Sequence, residues 1–379
     1  MKILVLSKRQ YMAKDLLDDR FGRFHELPLE LAKFGHEVQG ICLSYRPKPE
    51  GWSTDFEPHS HGEVPWLSLN LGRMMLPGIK RYLAEGERIA ADFHPDIIWS
   101  CSDAFHAIFG ARVARRAGAL SIIDLYDNFE AFRASRIPGV IPLFRRAVRD
   151  ADGLTVFSRR LGRYVVGTYG YSRFTDVIEN GVKSCFRPQN RAECRRRLGL
   201  PQNARIIGTA GALYKSRGIE TLFRAFEQLA VVEDLHLALA GARTGDLKIP
   251  PGERVHDLGE LPHEEVAVFF NALDIAVVCY RHSPQGEVSL PQKAYEIIAC
   301  GVPMIAAAVG TMSELLESSP ECLYAPESSE SLAAAVRYQL ERKVRLDIAI
   351  PSWAESAWRL SEFFTTVAGS DDPGIPALL

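Results

Sequence analysis

The chain has no C-x-x-C pair, no apolar run long enough to cross a bilayer, no internal repeat, heptad or low-complexity stretch, and almost no net charge. Each absence removes a class of protein. Its seven cysteines, at 42, 101, 185, 194, 279, 300 and 322, stand singly and mostly within apolar runs. They read as buried, reduced thiols of a cytoplasmic protein, not as a disulfide framework or a zinc site. A spanning helix needs ~18 consecutive apolar residues, and no stretch approaches that. Met1-Lys2 leads into a short apolar run, Ile3 to Leu6, that Lys8 and Arg9 close; the pattern is that of a first β-strand and not of a signal peptide. A formal charge of -2 and a pI near 6.6 speak against a protein whose main task is wrapping nucleic acid. No G-x-G-x-x-G follows the first strand, so a nicotinamide dehydrogenase lacks its fingerprint here.

What is present is an alternation of strand and helix patterns. With 379 residues, 47% of them hydrophobic, the chain suits two α/β domains. Ile3 to Leu6, Glu37 to Leu43, Asp96 to Cys101 and Leu120 to Asp124 have the composition of buried strands. Helical spacing runs through Phe24 to Phe34, Pro77 to Phe93 and Phe105 to Arg116, and this rhythm predicts a parallel sheet covered by helices. Pro28 interrupts the first helical run, so that helix either begins there, with proline in its first turn, or is kinked. Residues 1–182 are expected as a first domain and 183–205, polar with Pro188, Pro201 and several arginines, as a linker. Residues 206–350 are expected as a second domain, and 351–379 as a tail whose stretch Ser352 to Phe364 is amphipathic.

Two places along this pattern have the makings of a site. Ser289 to Gly310, SLPQKAYEIIACGVPMIAAAVG, reads as a helix with an apolar face of Ala294, Ile297, Ile298 and Cys300, a stop at Gly301 and Pro303, and a buried strand. The start of that helix, near Leu290 to Gln292, offers backbone N–H groups and a partial positive charge suited to a phosphate. Glu296 stands about one turn further in, roughly the distance from a diphosphate to a ribose hydroxyl. The second place is Tyr126-Asp127-Asn128, at the end of the strand Leu120 to Asp124, because open α/β sheets gather their ligand groups at such ends.

KAYEIIACGVPMIA resembles the donor-site pattern E-A-M-A-x-G-x-P-V of the retaining glycosyltransferases of family 4. RFHELPLELAKFGHEV, RRAVRDADGLTVFSRRL, VIENGV, GTAGALYKSRGIETLFRAF and HDLGELPHEEV resemble further segments of that family, in the family's order. The resemblance implies an α/β chain of GT-B fold: two Rossmann-like domains with parallel sheets facing a cleft, and a C-terminal helix crossing back to the first. It implies a cytosolic enzyme that moves a sugar, with retention, from a nucleotide-diphosphate sugar of UDP type to a saccharide or lipid-linked acceptor in cell-surface polysaccharide synthesis.

The resemblance also implies roles for single residues. Glu296 takes the place of the glutamate that binds the donor ribose. The family's glycine pair against the diphosphate is reduced to Gly22, and its arginine-lysine clamp becomes Ala212 and Arg217, leaving Lys215 or Lys293 to supply the other cation. Leu258 falls where the base is contacted, Asp127 where the acceptor is faced, and Tyr126 where many members carry a histidine. The expected catalytic set is thus Asp127, Arg217 and Lys293. The expected donor-binding set is Gly22, Gly211, Lys215, Arg217, Leu258, Ser289, Leu290, Pro291, Lys293 and Glu296. No metal is expected: Asp150-Ala151-Asp152 has D-x-D spacing but precedes a strand instead of ending one, and His59 and His61 share a loop with no further matched ligand. The first acid of the family's E-x7-E falls on Val288, with Glu287 one place off, while Pro291, Lys293 and Glu296 fit a P-x-K-x-x-E variant. Those departures keep two alternatives open, a nucleotide-sugar isomerase on the same fold and a catalytically idle nucleotide-sugar binder.

Two further features concern a membrane. From Arg112 to Arg163 there are eleven arginines against five acids, and Trp66 to Leu83 is more apolar than a loop needs. Either Trp66 to Leu76 covers the first domain's own core, or it makes an apolar contact, ringed by positive charge, with an anionic leaflet.

Overall fold

Short runs rich in Ile, Leu and Val are buried on both faces only where helices cover both sides of a parallel sheet. The computed structural model, which describes residues 1–369 apart from 12–13, 54–62, 232, 244, 246 and 284–285, has two such sheets in two units. One unit is Met1–Gly181 with the chain from Pro351 onward, and the other is Val182–Ile350.

The first unit runs β1 (Lys2–Lys8), α1 (Arg23–Lys33), β2 (Glu37–Ser44), β3 (Trp66–Asn70), α2 (Leu76–Phe93), β4 (Ile97–Ser100), α3 (Ala104–Ala117), β5 (Leu120–Leu125), α4 (Val140–Asp150), β6 (Gly153–Val156), α5 (Arg159–Tyr169) and β7 (Phe174–Val177). The second runs α6 (Arg191–Leu198), β8 (Arg205–Ala210), α7 (Ile219–Ala230), β9 (Leu235–Ala240), β10 (Val255–Asp257), α8 (His263–Ala272), β11 (Ile275–Val278), α9 (Gln292–Ala299), β12 (Met304–Ala307), α10 (Thr311–Leu315), β13 (Leu323–Tyr324) and α11 (Ser329–Arg342). A last helix, α12 (Trp353–Ala368), belongs to the first unit.

Strand order is β7-β6-β5-β4-β1-β2-β3 in the first sheet, with Gly51–Trp52 antiparallel beyond β3, and β10-β9-β8-β11-β12-β13 in the second. Both orders run outward in opposite directions from a central pair, β1/β4 and β8/β11. A doubly wound sheet opens a crevice at the carboxyl ends of that pair.

Each sheet is sealed by helices on both sides. Ile3, Val5 and Trp99 pack against α1 and α12, while Leu4, Leu6 and Ile98 pack against α2 and α3. In the second unit Ile206, Ala238 and Ala276 face α8 and α9, and Ile207, Leu237 and Val277 face α7 and α11. The last helix starts at a capping box between Ser352 and Glu355 and buries Trp353, Leu360 and Phe364 on the first unit. Gly181 is required there, because a Cβ on it would lie 2.3 Å from the Trp353 nitrogen. Bonds from His36 Nε2 to Ser361 Oγ at 2.7 Å and from Arg359 Nε to Asp176 at 3.0 Å hold the rest of the helix.

Several details differ from expectation. Residues 183–205 fall within the second unit and carry α6, whose Arg195 is buried on Asp274 and the Ala272 carbonyl, so the polar composition reflects helix-end pairing and not a free linker. α1 begins at Arg23, so Pro28 lies inside it; burial of Phe24, Leu27, Pro28 and Leu31 offsets the lost backbone bond. Of the two readings of Trp66 to Leu76, the core one holds for Trp66, Leu67 and Leu69, which are core residues of β3. His59 and His61 lie outside the described residues.

One buried ion pair ties distant parts of the first unit together. Arg23 and Asp124 are both fully buried and meet through two bonds of 2.8 and 2.9 Å. The guanidinium also donates to the Ile178 carbonyl at 3.0 Å and to Asn180 Oδ1 at 2.6 Å, and Thr155 Oγ1 donates to Asp124 at 2.7 Å. Because every strong donor and acceptor has a partner, removing one side strands the other charge in a dry interior. Arg23→Ala is therefore expected to cost about 3–5 kcal/mol, measured as a lower urea midpoint for the first unit's transition.

Candidate active site

The second sheet's crevice is built from backbone that approaches too closely for side chains. After β8 the chain turns at Gly211 (φ 100) and after β9 at Gly241 (φ 132), and a Cβ on Gly241 would lie 1.9 Å from the Gly211 carbonyl oxygen. Only glycine fits. A Cβ on Gly211 would in turn stand 3.4 Å from both Cε and Nζ of Lys293, so the bare backbone of this turn is where the lysine lies. Lys293 comes from the first turn of α9, which Pro291 opens.

The second cation arrives from the loop after β8. Lys215–Arg217 form one 3-10 turn ended by Gly218 (φ 77), which delivers Arg217 to the end of β11. There its guanidinium donates to the Tyr280 hydroxyl and lies 5.0 Å from the centroid of the same ring. Burial pushes the Lys293 ammonium pKa down to about 8; the charge of Arg217 adds to that, and Cys279 and Glu296 oppose it. Two like charges thus share the crevice.

Glu296, one turn beyond Lys293, is buried, and its Oε1 accepts a 2.9 Å bond from His263 Nε2. Among the described residues its Oε2 has no hydrogen-bond partner. His263 is the first residue of α8 and packs its ring 5.0 Å from that of Phe186. Neither His263 nor Tyr280 was singled out from the sequence. The only signal for the histidine was its position at the start of a helix directly after Pro262, which says nothing of a partner 33 residues on.

The remaining expected residues are spread over both units. Lys215 lies 3.8 Å from Glu220. Leu258 is half-buried on the core, with its N–H on the Leu239 carbonyl at 2.9 Å. Leu290 packs on the same core, and Ser289 and Pro291 are half-buried beside it. Val288 is buried and brings no carboxylate, and Glu287 Oε1 pairs with His282 Nδ1 at 3.1 Å. In the first unit, Gly22 caps α1 with φ 87, and Asp127 is buried, accepting from the Asn128 N–H at 2.8 Å. The D-x-D pair is used structurally: Asp150 ends α4 and meets Arg146 at 3.4 Å, while Asp152 takes the Ser121 N–H at 2.8 Å and Arg173 at 3.3 Å. Among the described residues no group of three or more His, Cys, Asp or Glu side chains could hold a metal.

Two family models match, glycosyltransferase family 4 over residues 23–184 and glycosyl transferases group 1 over residues 204–342. The chain belongs to these glycosyltransferases. It is 34% identical over 227 residues to D-inositol 3-phosphate glycosyltransferase 1 of Catenulispora acidiphila, a match covering 53% of each chain, so it spans about half of that relative. To TuaC of Bacillus subtilis, named for teichuronic acid biosynthesis, it is 26% identical over 363 residues, 86% of this chain and 87% of that one. Among solved structures, sucrose-phosphate synthase from Thermosynechococcus elongatus superposes with a TM-score of 0.72 at 21% identity, covering 97% of this chain and 96% of that one. Anabaena HepE in complex with UDP superposes with a TM-score of 0.67 at 18% identity, covering 97% of both. The fold of this glycosyltransferase is GT-B.

The lowered pKa of Lys293 has a consequence that can be measured. Its positive charge is present below pH 8 and lost as pH rises through that value. With UDP as a diphosphate probe, a crevice in which Lys293 holds phosphate is expected to lose affinity between about pH 7.5 and 9.5, with that loss absent in Lys293→Gln; a flat profile for the parent protein in isothermal titration speaks against Lys293 as a phosphate ligand.

Proposed function

We propose that this glycosyltransferase uses a UDP-type sugar donor and passes the sugar, with retained anomeric configuration, to a saccharide or lipid-linked acceptor in cell-surface polysaccharide synthesis. The observation that carries this reading is the pair of cations at the β8/β11 crevice, Arg217 on Tyr280 and Lys293 against Gly211, with Glu296 one turn further along α9. Like charges held together destabilise each other until an anion joins them, and a diphosphate does so with two phosphates. The open Oε2 of Glu296 then accepts from a ribose hydroxyl while His263 keeps the carboxylate in place.

In the transfer, the bond from the sugar's anomeric carbon to the diphosphate breaks and a bond from the acceptor oxygen forms on the same face. The acceptor's hydroxyl proton passes to the departing phosphate. Charge gathers on that phosphate as it leaves, so fixed cations stabilise the transition state more than the bound donor. Gly22 is assigned to the diphosphate and Asp127 to the acceptor, on family resemblance. The UDP in the HepE structure and the name of TuaC support the donor and the pathway class.

With UDP-glucose and other sugar nucleotides offered beside membrane lipid acceptors, released UDP reports turnover. Glu296→Ala is expected to weaken donor binding, and Arg217→Ala to lower kcat about 10²-fold with a smaller effect on binding. UDP bound without any turnover would replace this reading by an idle binder, and conversion of the donor sugar without acceptor by an isomerase.

For the membrane, exposed Met74, Met75 and Leu76 at the start of α2, next to exposed Arg73 and Lys80, form the contact that we assign to an anionic leaflet. No helix among the described residues is long and apolar enough to cross a membrane. α2, α3 and α4 follow one another on one face of the sheet, so the arginine-rich span shares that side. Part of its charge is already balanced: Arg112 and Arg116 meet Glu87, and Arg145 meets Glu130. Flotation with anionic liposomes is expected at low salt, reduced at high salt and lost in Met74→Ser/Leu76→Ser. Equal flotation with neutral liposomes would remove the electrostatic part.

A further inference from the structure

Both sheets have the same strand order, so the crevice that carries Arg217, Tyr280 and Lys293 in the second has a counterpart between β1 and β4 in the first. Lys8, the last residue of β1, stands there. Its backbone N–H donates to Ser102 Oγ at 2.8 Å. Ser102 is fully buried with φ 85, a left-handed backbone that a residue with a Cβ adopts only where its surroundings impose it. The end of β1 is thereby pinned to the loop after β4.

The Lys8 side chain is half-buried and incompletely paired. Nζ donates to the Tyr126 hydroxyl at 3.1 Å and lies 5.7 Å from the centroid of that ring and 5.3 Å from that of Phe132. An ammonium has three N–H donors, and among the described residues the other two meet no acceptor. The neighbouring carboxylates are engaged elsewhere. Asp103 accepts from His106 Nδ1 at 2.8 Å and the Tyr45 hydroxyl at 2.7 Å and caps α3, and Asp127 accepts from the Asn128 N–H at 2.8 Å. Both nevertheless act on Lys8 through space: burial pushes its pKa down, and Asp103 and Asp127 oppose that.

This arrangement selects one ligand chemistry over another. An anion brought to Lys8 would also meet the fields of Asp103 and Asp127, which oppose the attraction. A neutral hydroxyl meets no such penalty, and its lone pairs satisfy donors that burial has stripped of water. The rings of Tyr126 and Phe132 beside the ammonium suit the C–H face of a pyranose, and polar groups beside apolar walls are the usual make-up of a small-molecule site.

We propose that Lys8, with Tyr126 and Phe132, binds an uncharged saccharide ring of the acceptor, the ammonium donating to adjacent hydroxyls and the aromatic rings covering the ring's apolar face. This rests on the reading of the protein as a sugar transferase and names the acceptor class within it.

The test uses the full chain, titrated with methyl α-glucopyranoside, methyl α-galactopyranoside and glucose 6-phosphate in saturation-transfer NMR, and with UDP separately. At least one neutral glycoside is expected to bind, with Kd raised about tenfold in Lys8→Met and in Phe132→Ala and the melting temperature kept. Phe132→Ala serves by itself should Lys8→Met fold poorly. Absence of glycoside binding in the parent protein, unchanged affinity in the folded variants, or tighter binding of glucose 6-phosphate than of either glycoside overturns the proposal. UDP binding without glycoside binding defeats this inference and leaves the donor reading standing, and glycoside binding without UDP binding does the reverse.

Discussion

Burial of both sheets on both faces is the constraint from which the rest of this molecule follows. Ile3 through Leu6 in β1 and Ile275 through Val278 in β11 are at most 1% exposed, so no polar side chain from mid-strand can reach a ligand. Chemistry is confined to the carboxyl ends of strands and the loops beyond them. Lys8, Ser102 and Asp127 lie at such ends in the first unit, and Gly211 and Tyr280 in the second; Arg217 and Lys293 reach the same crevice from the segments that follow β8 and β11.

Within that constraint, the buried charges differ in how completely they are paired. Arg23 is fully buried and bonds Asp124, Asn180 and the Ile178 carbonyl, which leaves it nothing to offer a ligand. Arg195 is likewise saturated by Asp274 and carbonyls of Ala272, Gln202 and Ala204. Lys293 sits beside another cation, Glu296 keeps one oxygen unbonded, and Lys8 uses one donor of three. Incomplete pairing in a dry crevice costs stability, whereas complete pairing elsewhere fixes loops and helix ends.

The two units solve the same packing problem with one extra helix each. α11 lies beside α7 in the second unit, and α12 lies beside α1 in the first. The second case requires the chain to leave the first unit at Gly181 and return at Pro351. The return is sequence-encoded locally, by the Ser352–Glu355 capping box and the spacing of Trp353, Leu360 and Phe364, yet its docking depends on a bare Gly181 that no helix pattern announces.

What the sequence determined by itself was local and periodic. Runs of branched residues specified the strands, 3.6-residue spacing specified α2, α3 and α12, and the helix, glycine-proline turn and strand around Glu296 could be read because their residues are neighbours in the chain. Tertiary structure decided what those residues meet. His263 reaches Glu296 across 33 positions, Arg217 reaches Tyr280 across 63, and Lys8 reaches Tyr126 across 118. The same holds for β3, whose Trp66 and Leu67 read equally well as an exposed apolar stretch until the sheet supplied Gly40 and Ile41 as partners. Periodicity reports which face of an element is apolar, but a hydrogen bond or a charge pair depends on which strand ends come together, and that is set by the winding of the sheet.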